Sequence, residues 1–295
     1  MGGPYKLEEG RPAGPVSPPR QRPRGGASIG EAQLLQTQRA FDSVAVDYDG
    51  PRGNNELIQR MRVTLWDTVH SGAPAGARLL DLGCGTGIDA VEFGRRGFHV
   101  FATDWSAQMV ARTRTRAEAA GLQSRVTAIQ LGVQQLDRLV GEFDGIYSNF
   151  GPLNCAPDLR AVANECARLL RPGGQLVCSV IGRICPWEVG HYALRGRFKR
   201  AGVRAARGAT AVGMNSETIW THYYLPREFY AAFAEHFSLQ SYRGLSLFLP
   251  PPYLVEYYRR RRKWCERLGR LDDRLGGLPL LRDMGDHFLI VLRRR

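Results

Sequence analysis

Three glycines stand close together in one short stretch of this chain, directly after a buried apolar run. The segment LLDLGCGTG, residues 79–87, contains Gly83, Gly85 and Gly87. Glycines permit positive φ angles and close approach of the backbone to a ligand, and the start of the next helix offers unpaired N–H groups. The pattern therefore predicts a strand, a ligand-binding turn and a helix that begins near Ile88.

The residues around this turn favour one class of nucleotide ligand over another. The dinucleotide fingerprint G-x-G-x-x-G would place its third glycine at position 88, where this chain has Ile88. Asp81 precedes the turn, and a carboxylate there suits an amino group better than a pyrophosphate. Asp104 ends the next strand, about 20 residues on, where an acidic side chain can accept both ribose hydroxyls. A sulfonium nucleoside is therefore favoured over a dinucleotide.

Strand-like and helix-like segments alternate through the middle of the chain. Apolar runs from ARLLDLG to QLVCSVIG are separated by helical patterns over residues 88–96, 106–120, 134–140 and 158–170. Helices between successive strands imply parallel crossovers. We therefore expect an α/β fold with a doubly wound, mostly parallel sheet.

Composition divides the chain into segments. Residues 1–30 hold six of the 17 prolines and few aliphatic residues, so we expect a disordered Pro/Gly/Arg-rich leader. Residues 31–295 are expected to form one domain. Its predicted parts are N-terminal helices or a lid (31–75), a cofactor-binding core (76–182), a substrate-side insertion (183–226) and C-terminal strands with a helical insert (227–295).

With these residues in place, the chain resembles the class I methyltransferases, in particular the small-molecule branch often called type 11. The resemblance covers residues 39–182 well and the rest loosely. It implies the class I methyltransferase fold, including a late antiparallel strand. It also implies S-adenosyl-L-methionine as cofactor and S-adenosyl-L-homocysteine as product.

The resemblance assigns cofactor contacts residue by residue. The glycine turn and the backbone near Asn149 and Phe150 meet the methionine half, Asp104 holds the ribose, and Trp105 with Met109 flanks the adenine. The implied cofactor-binding set is Tyr48, Arg52, Asp81, Gly83, Cys84, Gly85, Gly87, Asp104, Trp105, Met109, Gly132, Val133, Gln134, Asn149 and Phe150.

Two parts of that set rest on more specific likenesses to the family. The segment AFDSVAVDYDG resembles the F-D-x-x-A-x-x-Y-D opening of quinone-biosynthesis methyltransferases, so Tyr48 would cap the cofactor and Arg52 would reach its carboxylate. Gly132, Val133 and Gln134 stand where the family usually has G-D-A. Because Val133 lacks the carboxylate, adenine would be read by backbone groups or by Gln134.

The acceptor side is expected in residues 183–224, which are rich in aromatic and histidine side chains. His191, His222 and Tyr192 are the candidate catalytic residues, since a histidine can remove a proton from a hydroxyl or a ring nitrogen. For each histidine taken singly, a structural or surface role is the favoured interpretation.

The net charge of +13 and the isoelectric point near 9.9 raise nucleic acid as a partner. A basic run at residues 259–263, with aromatic residues around it, could contact phosphates and bases. A solvated helix face is favoured instead, because the apolar residues around the run keep helical spacing. The N/D-P-P-Y/F signature of amino methyltransferases acting on DNA is absent from the fourth strand.

The cysteine spacing and the lengths of the apolar stretches limit the possible functions. Six cysteines form no zinc-ligand spacing, so no metal is expected, and no apolar stretch is long enough to span a bilayer, so we expect a cytoplasmic protein with no membrane partner. The favoured function is methyl transfer to oxygen, nitrogen or carbon of a small molecule, in specialised metabolism. An RNA or protein methyltransferase and a non-catalytic cofactor-binding protein remain as alternatives.

Overall fold

The computed structural model describes residues 29–51, 53–214 and 216–295. The predicted leader therefore lies outside the described residues except for its last two. The α-helices are α1 (Glu31–Val44), α2 (Glu56–Gly72), α3 (Ile88–Arg95), α4 (Ala107–Ala119), α5 (Leu159–Leu169), α6 (Pro186–Ala193), α7 (Phe198–Ala201), α8 (Pro226–Phe233), α9 (Val255–Arg260) and α10 (Arg262–Leu275). The strands are β1 (Arg78–Leu82), β2 (His99–Asp104), β3 (Val126–Gln130), β4 (Phe143–Ser148), β5 (Leu170–Ile181), β6 (Thr210–Met214), β7 (Glu217–Thr221), β8 (Phe237–Leu245) and β9 (His287–Arg294).

Seven strands form one sheet in the order β3-β2-β1-β4-β5-β9-β8. The first five run parallel, and β9 runs antiparallel to both β5 and β8. The predicted doubly wound, mostly parallel sheet with a late antiparallel strand is therefore confirmed.

Helices cover both faces of the sheet because the central strands are apolar on both sides. On one face, Val162 of α5 and Phe229 of α8 belong to a core cluster with Phe288 of β9. On the other face, Leu65 of α2 and Phe93 of α3 pack in a second cluster against β1 and β2. In the described part of the chain, no helix is both long and apolar enough to cross a bilayer.

Two elements differ from the sequence interpretation. The stretch after Gly182, which shows little regular pattern, contains an antiparallel hairpin of β6 and β7 with Val212 opposite Ile219. The helical insert near the C-terminus is two helices rather than one, because the backbone leaves helical geometry at Arg261. The hairpin packs against α1, so the insertion and the N-terminal helix meet.

Candidate functional site

The turn after β1 holds its three glycines in the left-handed region of backbone space. Gly83, Gly85 and Gly87 have φ angles of 79°, 53° and 80°, values that strain any residue with a Cβ. A Cβ on Gly83 would lie 2.3 Å from Pro152, and one on Gly87 would lie 2.7 Å from Thr113. A Cβ on Gly85 would meet no described atom within 4 Å. The turn is therefore packed at its two ends and open at its centre.

The carboxylate of Asp104, at the end of β2, is fixed against this turn by two main-chain donors. The N–H of Gly85 donates to one oxygen at 2.8 Å, and the N–H of Ser106 donates to the other at 2.9 Å. Burial raises the pKa of Asp104 to about 6. Each oxygen keeps a further lone pair, so the carboxylate can also accept the hydroxyls of a sugar.

A cavity of about 110 Å³ lies at the carboxyl edge of the sheet. It is bounded by α1, by the glycine turn and by the segments that follow β2, β3 and β4. Ten of the fifteen predicted cofactor residues line it: Tyr48, Gly83, Gly85, Asp104, Trp105, Met109, Val133, Gln134, Asn149 and Phe150. The structure thus brings most of the predicted set into one wall, although the residues come from five separate parts of the chain.

Three residues of this wall carry a buried polar atom without a hydrogen-bond partner in the described protein. These atoms are Nε1 of Trp105, Nε2 of Gln134 and Oδ1 of Asn149. A buried polar atom without a partner costs free energy, on the order of 1–3 kcal/mol, unless a ligand satisfies it. Two donors and one acceptor beside the Asp104 carboxylate fit a ligand with ring nitrogens, hydroxyls and an amino group.

Of the predicted residues that the structure describes, four do not line the cavity. Asp81 is buried in β1, where the Tyr147 hydroxyl donates to its carboxylate at 2.9 Å and burial raises its pKa well above the usual range. The Cys84 thiol faces Thr113 at 3.4 Å, and burial raises the pKa of that thiol as well. Both side chains are buried beside the turn and are not part of the cavity wall.

Gly87 and Gly132 also act through their neighbours. Gly87 lets the turn pack on α4, and a Cβ on Gly132 would lie within 2.6 Å of the side chains of Gln134 and Trp105. Gly132 therefore makes room for two residues that do line the cavity. Arg52 lies outside the described residues, so its predicted contact with the cofactor carboxylate stays a prediction.

Nine lining residues lie outside the predicted cofactor-binding set. They are Leu34, Thr37, Gln38, Phe41, Ser106, Leu131, Gly151, Pro152 and Cys155. The first four lie on α1, which is held over the site by a 2.9 Å hydrogen bond from Gln38 Nε2 to the carbonyl oxygen of Trp105. Their spacing of three, four and seven residues is that of one helix face, which is the signal that could have identified them.

Asn149 and Phe150, after β4, join the cavity to a buried polar cluster. Asn149 Nδ2 donates to the Asp89 carboxylate at 3.1 Å, and the same carboxylate pairs with Arg62 at 2.6 Å. The Arg62 guanidinium also lies over the Phe150 ring, 4.9 Å from its centroid. Phe150 has a φ of 59°, a strained value for a non-glycine residue and one often found at functional sites.

None of the three predicted catalytic side chains lines the cavity. His191 and Tyr192 lie on α6, where His191 contacts Arg195 at 3.1 Å and faces a separate surface groove. His222 follows β7, where its main-chain N–H donates to the carbonyl oxygen of Asn154 at 2.8 Å and its carbonyl oxygen accepts from the Asn154 side-chain amide at 2.6 Å. Burial lowers the pKa of both histidines.

A second buried cluster lies beside the site, where Cys185, Glu188 and Asp286 bring potential metal-ligand atoms within 4.8 Å of one another. The Arg204 guanidinium already bonds both carboxylates, at 2.8 Å from Glu188 and 2.6 Å from Asp286. Burial raises the pKa of the Cys185 thiol to about 12, so it stays protonated. Arg204 thus occupies the place that a cation would take.

Comparison with known proteins agrees with this geometry. Residues 79–174 match the family described as "Methyltransferase domain". A ubiquinone biosynthesis O-methyltransferase of Xylella fastidiosa (strain 9a5c) is 32% identical over 149 residues, which cover 49% of this chain and 57% of that protein. The chain thus spans little more than half the length of the curated relatives it matches.

Solved structures share the fold at low sequence identity. The cyclase SpnF superposes with a TM-score of 0.60 at 18% identity, covering 91% of this chain and 98% of that one. The CcbJ methyltransferase from Streptomyces caelestis gives a TM-score of 0.56 at 16% identity, covering 88% and 98%. These structures share the predicted class I fold, which is therefore confirmed. A cyclase among these structures means that the fold alone does not fix the reaction.

Proposed function

We propose that this methyltransferase-domain chain transfers the methyl group of S-adenosyl-L-methionine to a hydroxyl of a small-molecule acceptor and releases S-adenosyl-L-homocysteine. The observation that carries the proposal is the cavity in which Asp104 stands beside three polar atoms without partners. Oxygen is favoured over nitrogen or carbon because the curated relatives are named ubiquinone biosynthesis O-methyltransferases.

The proposed roles follow from the donors and acceptors in the wall. Asp104 accepts the two ribose hydroxyls, and Gln134 and Trp105 donate to ring nitrogens of the adenine. Asn149 Oδ1 accepts from the amino group of the methionine half, while Gly85 leaves room for the chain of that half. Tyr48 and Met109 close the apolar sides, and Arg52 is kept as the proposed partner of the carboxylate.

In methyl transfer, the protein itself forms no covalent bond with the methyl group. When bound, the cofactor supplies a methyl group already activated by its sulfonium charge. The residues of the chain have to orient the acceptor oxygen in line with the methyl carbon, exclude water and remove a proton. The cover formed by α1 and the burial of Asp104 suit the first two tasks.

A small-molecule acceptor is favoured over RNA or protein because arginines of the basic run, residues 259–263, are paired with glutamates. Arg259 pairs with Glu56 and Glu256 at 3.1 and 3.0 Å, and Arg262 pairs with Glu266 at 3.0 Å. These pairs reduce the charge available for phosphates. We further propose a cytoplasmic setting in specialised metabolism, and the six free thiols fit a reducing compartment.

Calorimetry and turnover test the proposal together. The purified chain should bind S-adenosylmethionine, and with a panel of catechols and phenols it should form S-adenosylhomocysteine, detected by mass spectrometry. Asp104→Ala should weaken cofactor binding by about 1–3 kcal/mol, whereas Asp137→Ala, at an exposed site outside the cavity, should not. Binding without turnover on any hydroxyl acceptor would reject O-transfer, and methylation of RNA would support the alternative.

A further inference from the structure

The segment that contains α7 carries several positive charges and no acidic residue. From position 189 to position 216 the chain has six cations and no aspartate or glutamate. One of the six, Arg204, is buried and pairs with Glu188 and Asp286. In the described part of the chain, the other five form no ion pair with a carboxylate: Arg195, Arg197, Lys199, Arg200 and Arg207. Their charge is therefore not neutralised by the protein, whereas the basic run is partly paired with glutamates.

Four of these cations lie within the seven residues 194–200, and all four are exposed. Arg195 contacts His191, with 3.1 Å to the ring Nδ1 and 3.0 Å to the carbonyl oxygen. The Arg200 guanidinium lies over the Tyr192 ring, 5.9 Å from its centroid. Neither contact involves a carboxylate, so both guanidinium groups can still pair with an anionic group from another molecule.

Large apolar side chains are exposed among the same cations. Leu194, which follows α6, is 90% exposed, and Phe198, the first residue of α7, is 71% exposed. Trp264 of α10 is 46% exposed and lines one surface groove together with Leu194 and Arg195. Residues 194–200 and Trp264 therefore form one surface that is both basic and apolar, called here the α7 surface.

This combination of side chains suits the surface of a bilayer that contains anionic lipids. Lipid phosphates attract lysine and arginine, and apolar side chains enter the boundary between the headgroups and the acyl chains. Tryptophan is enriched at that boundary, because its ring is apolar and its N–H is polar. One partner would thus satisfy both the charge and the apolar side chains of the α7 surface.

Other partners would satisfy only part of this surface. RNA could pair with the cations and stack on Phe198, but an aliphatic side chain such as Leu194 offers no stacking face. A second copy of the chain would bring two sets of like charges together across a two-fold interface. An anionic bilayer has neither disadvantage.

We propose that the α7 surface binds the protein reversibly to anionic lipid bilayers. No bilayer-spanning segment is needed for such a contact, and the expectation of no membrane partner considered spanning segments only. A few cations and three apolar side chains predict binding that weakens as salt rises. Membrane binding at this surface is independent of the proposed function and is compatible with a cytoplasmic setting, since the cytoplasmic leaflet is anionic.

Cosedimentation of the full chain with lipid vesicles tests the charge. The protein should sediment with vesicles of equal parts phosphatidylcholine and phosphatidylglycerol, should be released by high salt, and should not sediment with phosphatidylcholine alone. Arg197→Glu with Lys199→Glu should lower the partition coefficient about tenfold or more. Arg138→Glu with Arg160→Glu removes the same net charge from exposed positions outside the α7 surface, and should lower it much less.

Equal losses in the two double variants would overturn the proposal, because binding would then follow net charge alone. Absence of sedimentation with the anionic vesicles would overturn it as well. All four changes are at exposed positions outside the cavity wall, so the affinity for S-adenosylmethionine should be unaltered and verifies that each variant is folded.

The apolar contribution has its own pair of variants. Leu194→Ser with Phe198→Ser should weaken vesicle binding severalfold, whereas Val140→Ser, at a 44% exposed site elsewhere, should not. If the serine pair binds vesicles as the wild type does, the side chains do not enter the bilayer and the proposal fails. Binding of a uridine polymer through Arg197 and Lys199, with no binding to vesicles, would show a nucleic-acid surface instead.

Trp264 provides a readout that needs no loss of binding. Vesicles with brominated acyl chains should quench part of the tryptophan fluorescence of the bound protein, and Trp264→Phe should remove most of that quenching. If the bound protein is quenched equally with and without Trp264, a different face of the molecule contacts the bilayer and the assignment of the α7 surface is wrong.

Discussion

The main-chain N–H of Gly85 donates a 2.8 Å hydrogen bond to the carboxylate of Asp104, which joins the glycine turn to the end of β2. One side chain therefore shapes the turn and faces the cavity at once. Because only the ionised carboxylate can accept from two main-chain donors and from a ligand, its protonation state affects both the turn and the ligand.

Cofactor affinity should depend on pH through Asp104. Its pKa in the ligand-free protein is raised to about 6 by burial, and a ribose diol that donates to the carboxylate favours the ionised form. Below that pH the proton must leave first, so the dissociation constant should rise about tenfold per pH unit as the pH falls. Calorimetry between pH 5 and 8 would check this. Asp104→Asn should bind more weakly, and this step should disappear.

Gly85→Val should abolish cofactor binding. The left-handed φ strains any side chain at this position, and the valine would project into the open centre of the turn. Gly121→Val is the matched control, because Gly121 has a φ of 68°, equally open surroundings and no part in the cavity wall. If both variants fold and both bind the cofactor normally, the ligand does not lie against this turn.

Gln134→Leu should weaken binding through its lost donor. Nε2 of Gln134 is buried in the cavity wall without a partner, and a bond to the adenine would be lost in the leucine variant. The expected cost is about 1–3 kcal/mol, or roughly 5- to 150-fold in affinity. Gln123→Leu changes an exposed glutamine and should leave the affinity unaltered. An equal effect of the two changes would place the adenine elsewhere.

Arg204→Ala should unfold at much lower denaturant concentration than the wild type. Removing one member of a buried ion network leaves the Glu188 and Asp286 charges uncompensated, which costs about 3–5 kcal/mol. Arg207→Ala, at an exposed position of the same segment, should change the free energy of unfolding by less than about 0.5 kcal/mol. Equal midpoints in urea for both variants would show that the cluster does not stabilise the fold.

Local pattern was enough to predict the central part of the fold and most of the cavity wall. The β1 strand, its glycine turn and Asp104 carry their signals within about 25 residues, since strand alternation and turn chemistry are short-range properties. Gln134 and Trp105, two of the cofactor residues that the family resemblance implies, also line the cavity. Their positions follow from strands whose order the family resemblance supplied.

Long-range contacts account for what the sequence did not reveal. The sequence pattern did not predict the β6–β7 hairpin. Its strands are only five residues long and β6 contains Gly213, so neither segment has a strong strand pattern. The ion pair between Arg204 and Asp286 could not be predicted either, because the two residues lie 82 positions apart along the chain. Such pairings depend on how the insertion folds back, and no spacing in the sequence encodes that.

Thr37 of α1 lines the cavity and also accepts, through its hydroxyl, a 3.0 Å hydrogen bond from the main-chain N–H of Trp220 in β7. A cavity of about 110 Å³ is smaller than the roughly 300 Å³ or more that small-molecule sites occupy, so we expect α1 to shift when a nucleoside enters or leaves. Any such shift pulls on Trp220 and on the hairpin that carries it. We therefore expect exchange of donor and product to be coupled to the insertion through this hydrogen bond.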